Sequence, residues 1–314
     1  MKQSLNLVEF APDSFLYQQV FSFTRIYGVT LNLSNGSEAS KQVITFEGFI
    51  EMEKSLGTAN AFRIIYKKSD VRINHRSENS IVMDLALKCS EAFYPLEMEF
   101  LPFANSLEIL NQKEIQTRWQ NIRRELDGYY KDKNSQWYLN KTEKMIANGF
   151  LAPLVQHDIF LTAFLGFSFP IQSRRKTPPI EFPIVPGRPP VRYALTQEIS
   201  DEYTHYDTIV IKRKGKPDDK RTAYELQTGY NQFGETTPGF DLKGEIDLKY
   251  EIEKGNHMLQ SIMGNVSLEL SSDDRKVVDF TAYHMRERDK ELIVEKKEEN
   301  KEKGFLPFLK SLIS

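Results

Sequence analysis

The residues best suited to acid–base chemistry are His157 and Asp158, which precede the most apolar run of the chain. An imidazole beside a carboxylate can accept and return a proton near neutral pH. Adjacent helical residues, however, project about 100° apart, so these two side chains would not meet. We therefore interpret the pair as the start of a helix, with Asp158 in its first turns. His205 and Asp207 could share a strand face, and they are interpreted as part of an exposed strand edge.

Paired carboxylates occur on two predicted strands, as Glu97 with Glu99 and as Glu51 with Glu53. Residues two apart on one strand face lie about 7 Å from each other, a carboxylate separation that glycoside hydrolysis can use. Alternating charges are also typical of the solvated face of a sheet, and we favour that interpretation. An acid–base hydrolase using Glu97, Glu99 or His157 is the least favoured functional hypothesis.

Nucleophiles and metal ligands give weaker signals. Ser168 lies in a Gly-Phe-Ser-Phe-Pro run, in which Pro170 replaces the second glycine of a nucleophile elbow. Cys89 is the only cysteine and is interpreted as a small hydrophobic residue. None of the five histidines lies in an HExxH arrangement, and one cysteine excludes the common zinc spacings. The sequence therefore predicts no catalytic residue, no metal site and no cofactor.

Two short basic clusters, residues 174–176 and 212–216, are candidates for anion binding. The second is followed by Asp218 and Asp219, which could balance its charge. Phosphate binding would need such residues to converge with stacking aromatic side chains, and the sequence shows no interleaving of that kind. We interpret both clusters as solvated segments and expect no nucleic-acid partner.

Composition is that of a globular protein of one large or two medium domains. The 314 residues are 40% hydrophobic and 12% aromatic, with a net charge of -2. The first residues lack an apolar run of signal-peptide length, and no stretch of about eighteen apolar residues occurs. The sequence predicts a cytoplasmic protein without a transmembrane segment.

The elements that would position these residues follow from hydrophobic periodicity. Ile115, Trp119, Ile122, Leu126 and Tyr129 are spaced for an amphipathic helix. Further helices are predicted at residues 136–147 and 153–165, and the second of these, apolar on most faces, is expected to be a central helix. Alternation predicts antiparallel strands on both sides of the helices, at residues 18–33, 42–53, 61–67, 80–87, 93–101, 191–199, 206–212, 222–229, 240–252, 257–270 and 276–285.

The predicted fold class is α+β, with two antiparallel meander-type β regions separated in sequence by a three-helix segment. Residues 1–170 would form a β-sheet with a helical layer, and residues 191–285 a second antiparallel β region. Between them, residues 171–190 would be a proline-rich connector, since residues 177–190 hold six prolines.

Residues 286–314 form the most unusual segment. Fourteen of the eighteen residues 286–303 are charged, seven of each sign, which predicts a solvated tether. The apolar residues that follow are spaced for a short amphipathic helix that could dock on the protein's own body, on a partner protein or on a membrane surface. They are Phe305, Leu306, Phe308, Leu309, Leu312 and Ile313.

Two functional hypotheses lead. The first is a non-catalytic binding or adaptor protein that engages a protein partner in part through this C-terminal docking peptide. The alternative is a carrier of an apolar, lipid-like ligand, held in a cavity of a curved sheet and closed by the apolar helix.

Overall fold

Alternating apolar and polar residues form one large antiparallel sheet in a computed structural model of the chain. Its strands are β2 (Ser22–Ser34), β3 (Gln42–Lys54), β4 (Phe62–Ile73), β5 (Leu96–Leu101), β6 (Ser106–Ile109), β8 (Arg175–Phe182), β9 (Val191–Ile199), β10 (Thr208–Pro217), β11 (Lys243–Glu253), β12 (Leu259–Glu269) and β13 (Arg275–His284). Two short strands, β1 (Phe15–Leu16) and β7 (Ile171–Gln172), pair separately.

The structure describes most of the chain. The described residues are 6–10, 15–16, 22–36, 41–56, 60–74, 81–102, 106–149, 151–167, 171–172, 175–229 and 242–289.

The eleven strands join both β regions into a single sheet. Their order is β6-β5-β4-β3-β2-β13-β12-β11-β10-β9-β8, so the two regions meet where β13 pairs with β2. The α+β class is confirmed, and the two predicted β regions are parts of one extended meander. Its edges, β6 and β8, are connected in sequence through the helical segment.

The helices are α1 (Ile81–Glu91), α2 (Gln112–Tyr129), α3 (Lys133–Ala147), α4 (Ala152–Gln156), α5 (Ile159–Leu165) and α6 (Ala223–Thr228). The amphipathic pattern from Ile115 onward is confirmed by α2, which buries Ile115, Trp119 and Leu126 and leaves Tyr129 exposed. Helices α1, α2 and α3 contact one another. The predicted helix over 153–165 is divided into α4 and α5, because Asp158 caps a new helix.

Two of the predicted strands are helices in the structure. Residues 80–87 lie mostly in α1, because burial of Leu85 and Cys89 one helical turn apart outweighs the apparent alternation. Residues 222–229 form α6, which a reciprocal capping box between Thr222 and Glu225 starts. The predicted connector over 171–190 contains β7 and β8. An edge strand tolerates prolines, and Pro178 and Pro179 lie at its register shift.

The sheet is strongly curled. The rings of Phe182 on β8 and Phe280 on β13 stack with centroids 6.0 Å apart, although five strand spacings separate these strands. In a flat sheet that separation would be about 24 Å. The Tyr193 hydroxyl on β9 likewise donates to the Ser267 carbonyl on β12 at 3.3 Å, across three spacings. The concave face therefore encloses the apolar core.

Candidate ligand-binding site

Helix α5 occupies the concave face of the sheet. The Phe160 ring contacts the rings of Tyr27, Phe46 and Tyr66 on three neighbouring strands, at centroid distances of 5.5, 6.4 and 6.1 Å. Gly48 on β3 lies beneath the same ring, and a Cβ atom there would be 3.0 Å from Phe160 Cε1. The prediction of a central helix covered on several sides is therefore confirmed for α5.

The N-terminal end of α5 is fixed by a buried ion pair. The Asp158 carboxylate accepts a hydrogen bond from the Leu161 amide at 2.9 Å and another from the Tyr66 hydroxyl at 3.1 Å. Its Oδ2 atom also lies 2.7 Å from Lys68 Nζ. Burial alone would lower the pKa of Lys68, but the Asp158 carboxylate and the Tyr94 hydroxyl outweigh burial and raise it. Lys68 therefore stays protonated and neutralises Asp158.

The C-terminal end of α5 is fixed by a buried arginine. Arg213, only 3% exposed, donates to the Gly166 carbonyl and to Gln197 Oε1, the latter at 2.8 Å. Its guanidinium lies over the rings of Phe167 and Tyr250, 5.9 and 5.4 Å from their centroids. Burial lowers the pKa of Arg213, yet a guanidinium remains protonated. Among the described residues, Arg213 has no carboxylate partner.

Little space remains beneath α5. A cavity of about 10 Å³ lies between the helix and the sheet, enough for roughly one water molecule. Its lining is apolar and includes Tyr27, Phe100, Phe164 and Leu259. The concave face is thus filled by the helix, and a chain-like ligand would need another place.

Such a place exists where the two edges of the curled sheet approach each other. A pocket of about 250 Å³, here named the seam pocket, is lined from one side by β5 and β6 and from the other by β8 and β9. Helices α4 and α5 also contribute to its wall. The apolar lining residues are Phe100, Pro102, Leu107, Val155, Leu165, Pro178, Pro179, Ile180, Pro190 and Leu195.

The carboxylates considered for hydrolysis do not converge on this pocket. Glu97 pairs with Arg63 at 2.7 Å, and Glu53 pairs with the same arginine at 3.2 Å. Glu99 accepts a hydrogen bond from the Ser55 hydroxyl at 2.6 Å. These contacts agree with the sequence interpretation that the paired carboxylates lie on the polar, solvated face of the sheet.

The other candidate residues are also spread over the molecule. His157 is exposed beside Asp158, and partial burial lowers its pKa. The His205 ring contacts that of Tyr206, with centroids 3.7 Å apart. Burial raises the pKa of the Cys89 thiol to about 11, so it stays protonated. The described residues contain no group of three or more His, Cys, Asp or Glu side chains that could hold a metal ion.

The predicted docking peptide lies outside the described residues. Phe305, Leu306, Phe308, Leu309, Leu312 and Ile313 all belong to the part of the chain beyond residue 289. Docking through them therefore stays a prediction. The first residues of the predicted tether do contact the body, because Asp289 accepts a hydrogen bond from the Ile26 amide at 2.9 Å and contacts His284 at 2.6 Å.

Lys68 is a site residue that the sequence did not single out. Arg213 belongs to the basic cluster of residues 212–216 that was interpreted as solvated, and that interpretation is wrong for Arg213, which is buried. Arg213 had a recognisable signal, because Ile209, Ile211 and Arg213 alternate along β10 and share the buried face. Lys68 had none, since its role depends on Asp158, which is distant in sequence. None of the helices in the described ranges has the length and apolar character needed to cross a membrane.

Comparison with known proteins gives only structural matches, and the one described here is weak. No protein-family model matches the chain, and no curated protein matches it. Eight chains of solved structures match, among them lipovitellin in a study of its lipid–protein interactions. That likeness has a TM-score of 0.41 and 11% identity, and it covers 88% of this chain. The chain spans only 25% of that structure's chain, and at this TM-score the likeness carries no inference.

Proposed function

We propose that the protein binds an apolar ligand, with the ligand's hydrocarbon portion in the seam pocket. The single observation that carries the proposal is the pocket itself: a space of about 250 Å³ between the two edges of a curled sheet, lined by ten apolar residues together with Gly166, Gln156, Thr162 and Glu181. Ligand pockets are usually concave, mostly apolar and somewhat larger than this. The seam pocket is therefore suited to part of a ligand, such as one hydrocarbon chain.

The contacts that fix both ends of α5 suggest that the seam pocket is preformed, that is, present without a ligand. Asp158 and Arg213 hold the two ends of the helix, and Leu165 forms pocket wall between them. A preformed pocket avoids the free-energy cost of ordering its wall during binding. We therefore expect the helix to stay in place when the pocket is occupied.

The expected affinity is modest. Each buried methylene contributes about 0.8 kcal/mol, so a chain of eight carbons would contribute roughly 6 kcal/mol before the costs of association. A free energy of roughly 6 kcal/mol corresponds to a Kd of about 40 μM even before those costs, so the net affinity of a purely apolar chain is expected to be millimolar or weaker. Additional contacts outside the pocket would be needed for tight binding.

The experiment is a titration of the full-length chain with N-phenyl-1-naphthylamine, a neutral apolar dye that fluoresces in apolar surroundings. Leu107→Trp on β6 fills the pocket and is expected to weaken dye binding at least about ten-fold. Ile109→Trp is the matched control, since Ile109 lies on the same face of the same strand but does not line the pocket.

Equal dye affinity in both variants and the parent chain would contradict the proposal, provided that thermal melting shows all three folded. Native mass spectrometry of freshly purified protein gives independent support if an apolar molecule co-purifies. The adaptor hypothesis remains a prediction for the C-terminal residues, and hydrolysis remains the least favoured prediction.

A further inference from the structure

A second concavity adjoins the seam pocket on its outer side. This outer groove has a volume of about 1190 Å³ and is formed by the ends of β10 and β11 together with residues 189–192 and 218–222. Gln156, Glu181 and Pro190 line both the seam pocket and the outer groove. The two concavities therefore meet at these three residues, and one ligand could occupy both.

The outer groove is basic, although the whole chain has a net charge of -2. Its lining holds five basic and three acidic side chains, which leaves an excess of two positive charges. Two of the acids have arginine partners: Asp219 lies 2.6 Å from Arg221, and Asp218 lies 3.4 Å from Arg192.

Three lysines of the groove have no such partner. Lys216, Lys220 and Lys243 are exposed, and within the described part of the chain they form no ion pair. The sequence interpretation that Asp218 and Asp219 balance the basic residues 212–216 is corrected here, because these aspartates pair with Arg192 and Arg221. Lys216 therefore contributes a positive charge to the groove that no neighbouring carboxylate, of those the structure describes, neutralises.

Arg221 gives the groove a fixed wall. It donates to the carbonyls of Pro189 and Pro190 at 3.1 and 2.6 Å and pairs with Asp219 on its other side. The prolines that line the groove are thus held by side-chain contacts. The lysines, in contrast, are long and can adapt to an anion of various shapes.

On the basis of this juxtaposition, and resting on the proposed function, we infer that the ligand is an anionic amphiphile. Its hydrocarbon chain lies in the seam pocket, and its carboxylate or phosphate head group lies among Lys216, Lys220 and Lys243. Glu181 stands where the two spaces meet and opposes an anion there, so it favours a head group placed farther out, beside the lysines. Head-group contacts would supply the affinity that a short apolar chain lacks.

The test compares dodecyl phosphate with dodecanol, which has the same chain and no charge, by calorimetric titration below micelle-forming concentrations. The full-length chain is expected to bind dodecyl phosphate about ten-fold more tightly, with a preference that falls as salt is added. The triple variant Lys216→Gln, Lys220→Gln and Lys243→Gln should lose this preference and keep its affinity for dodecanol. Glu181→Gln should strengthen the preference.

The matched control changes three exposed lysines outside the groove, Lys131→Gln, Lys133→Gln and Lys144→Gln, and therefore alters net charge equally. It should bind both ligands as the parent chain does. Equal loss of the preference in this control would overturn the assignment of the head group to the groove, because net charge alone would explain it.

The remaining outcomes separate the inference from the proposed function. If dodecanol binds and dodecyl phosphate binds no more tightly, the anionic head group is contradicted while apolar binding stands. If neither binds, the seam pocket is not a ligand site. If inorganic phosphate competes as tightly as dodecyl phosphate, the groove is a free-phosphate site unconnected with the seam pocket, and the inference is overturned.

Discussion

The two ends of α5 are held by opposite charges in different ways. At the N-terminus, the buried Asp158 carboxylate has a cationic partner in Lys68, whose side chain is 22% exposed. At the C-terminus, the buried Arg213 guanidinium has only neutral contacts: the Gly166 carbonyl, Gln197 and two aromatic rings. Both charges complement the helix dipole, which is positive at its N-terminus and negative at its C-terminus.

The difference follows from the chemistry of the two groups. A buried carboxylate without a counter-charge carries a large desolvation cost, which the ammonium group of Lys68 offsets here. A guanidinium stays protonated even when burial lowers its pKa, so hydrogen bonds and ring faces suffice. The seven-residue α5 is too short to be stable alone, and these end contacts together with Phe160 keep it within the sheet.

The largest expected effect is at the N-terminal end. Asp158→Ala removes the helix cap and leaves Lys68 without its counter-charge, which should lower the free energy of unfolding by about 3 kcal/mol. Asp158→Asn keeps a capping side chain and should cost about 2 kcal/mol. Urea denaturation of the full-length chain measures both. A loss below about 1 kcal/mol for Asp158→Ala would show that the ion pair does not hold α5.

The C-terminal end should be less sensitive, because removing Arg213 leaves no charge behind. Arg213→Met is expected to lower the free energy of unfolding by about 2 kcal/mol, since the Gly166 carbonyl and Gln197 lose a donor. Arg213→Lys keeps the charge but cannot reach both acceptors, so about 1 kcal/mol is expected. If Arg213→Met cost more than Asp158→Ala in the same urea titrations, the proposed ranking of the two ends would be reversed.

Between the two ends, the close approach of Gly48 to Phe160 can be tested with a methyl group. Gly48→Ala places a Cβ atom 3.0 Å from the ring and should cost about 1 kcal/mol in the free energy of unfolding. Gly128→Ala is the control, because a Cβ atom there meets nothing within 4 Å. It lies inside α2 and should stabilise by about 0.5–1 kcal/mol. Thermal melts that show no difference between them would contradict the close packing of α5.

The smallest expected effect is a difference in pH dependence between the two ends. The folded pKa of Lys68 lies above its ordinary value of about 10.4. Its stabilising contribution is therefore complete below that value and is lost as pH rises through the folded pKa. The stability difference between the parent chain and Lys68→Met should shrink as pH rises above about 10.

The corresponding difference for Arg213→Met should stay constant, because Arg213 does not titrate in that range. Denaturation at a series of alkaline pH values measures both differences. If the stability differences for Lys68→Met and Arg213→Met changed with pH in the same way, the proposed contrast between a titrating Lys68 and a non-titrating Arg213 would be contradicted.

The sequence predicted individual elements better than their assembly. Helix α2 was recognisable because Ile115, Trp119 and Leu126 follow local spacing, and β9 was predicted with its observed bounds. The pairing of β13 with β2 was not predicted, because local alternation does not state which distant strands become neighbours. The prolines of residues 177–190 did not indicate β8, because an edge strand needs no hydrogen-bond donor on its open side.

The site was predictable only in part. A central apolar helix was predicted from its composition, and so was the position of Asp158 at its start. The curved sheet was expected only under the carrier hypothesis, as the wall of a cavity beneath the helix, and only about 10 Å³ remains there. The capping box from Thr222 to Glu225 was visible in sequence and was missed. The seam pocket depends on the curl of the sheet, which brings β6 and β8 together. No local pattern carries that information.

Photolabelling with a fatty acid that carries a diazirine at the end of its chain shows directly whether the seam pocket holds the hydrocarbon chain of a ligand. The activated chain end is expected to label the seam-pocket wall, in peptides containing residues 100–107, 155–166 or 178–195. Labelling should fall in Leu107→Trp and persist in Ile109→Trp. Labels concentrated on residues 305–313 or on the outer face of the sheet, and unchanged by Leu107→Trp, would contradict binding of the chain in the seam pocket.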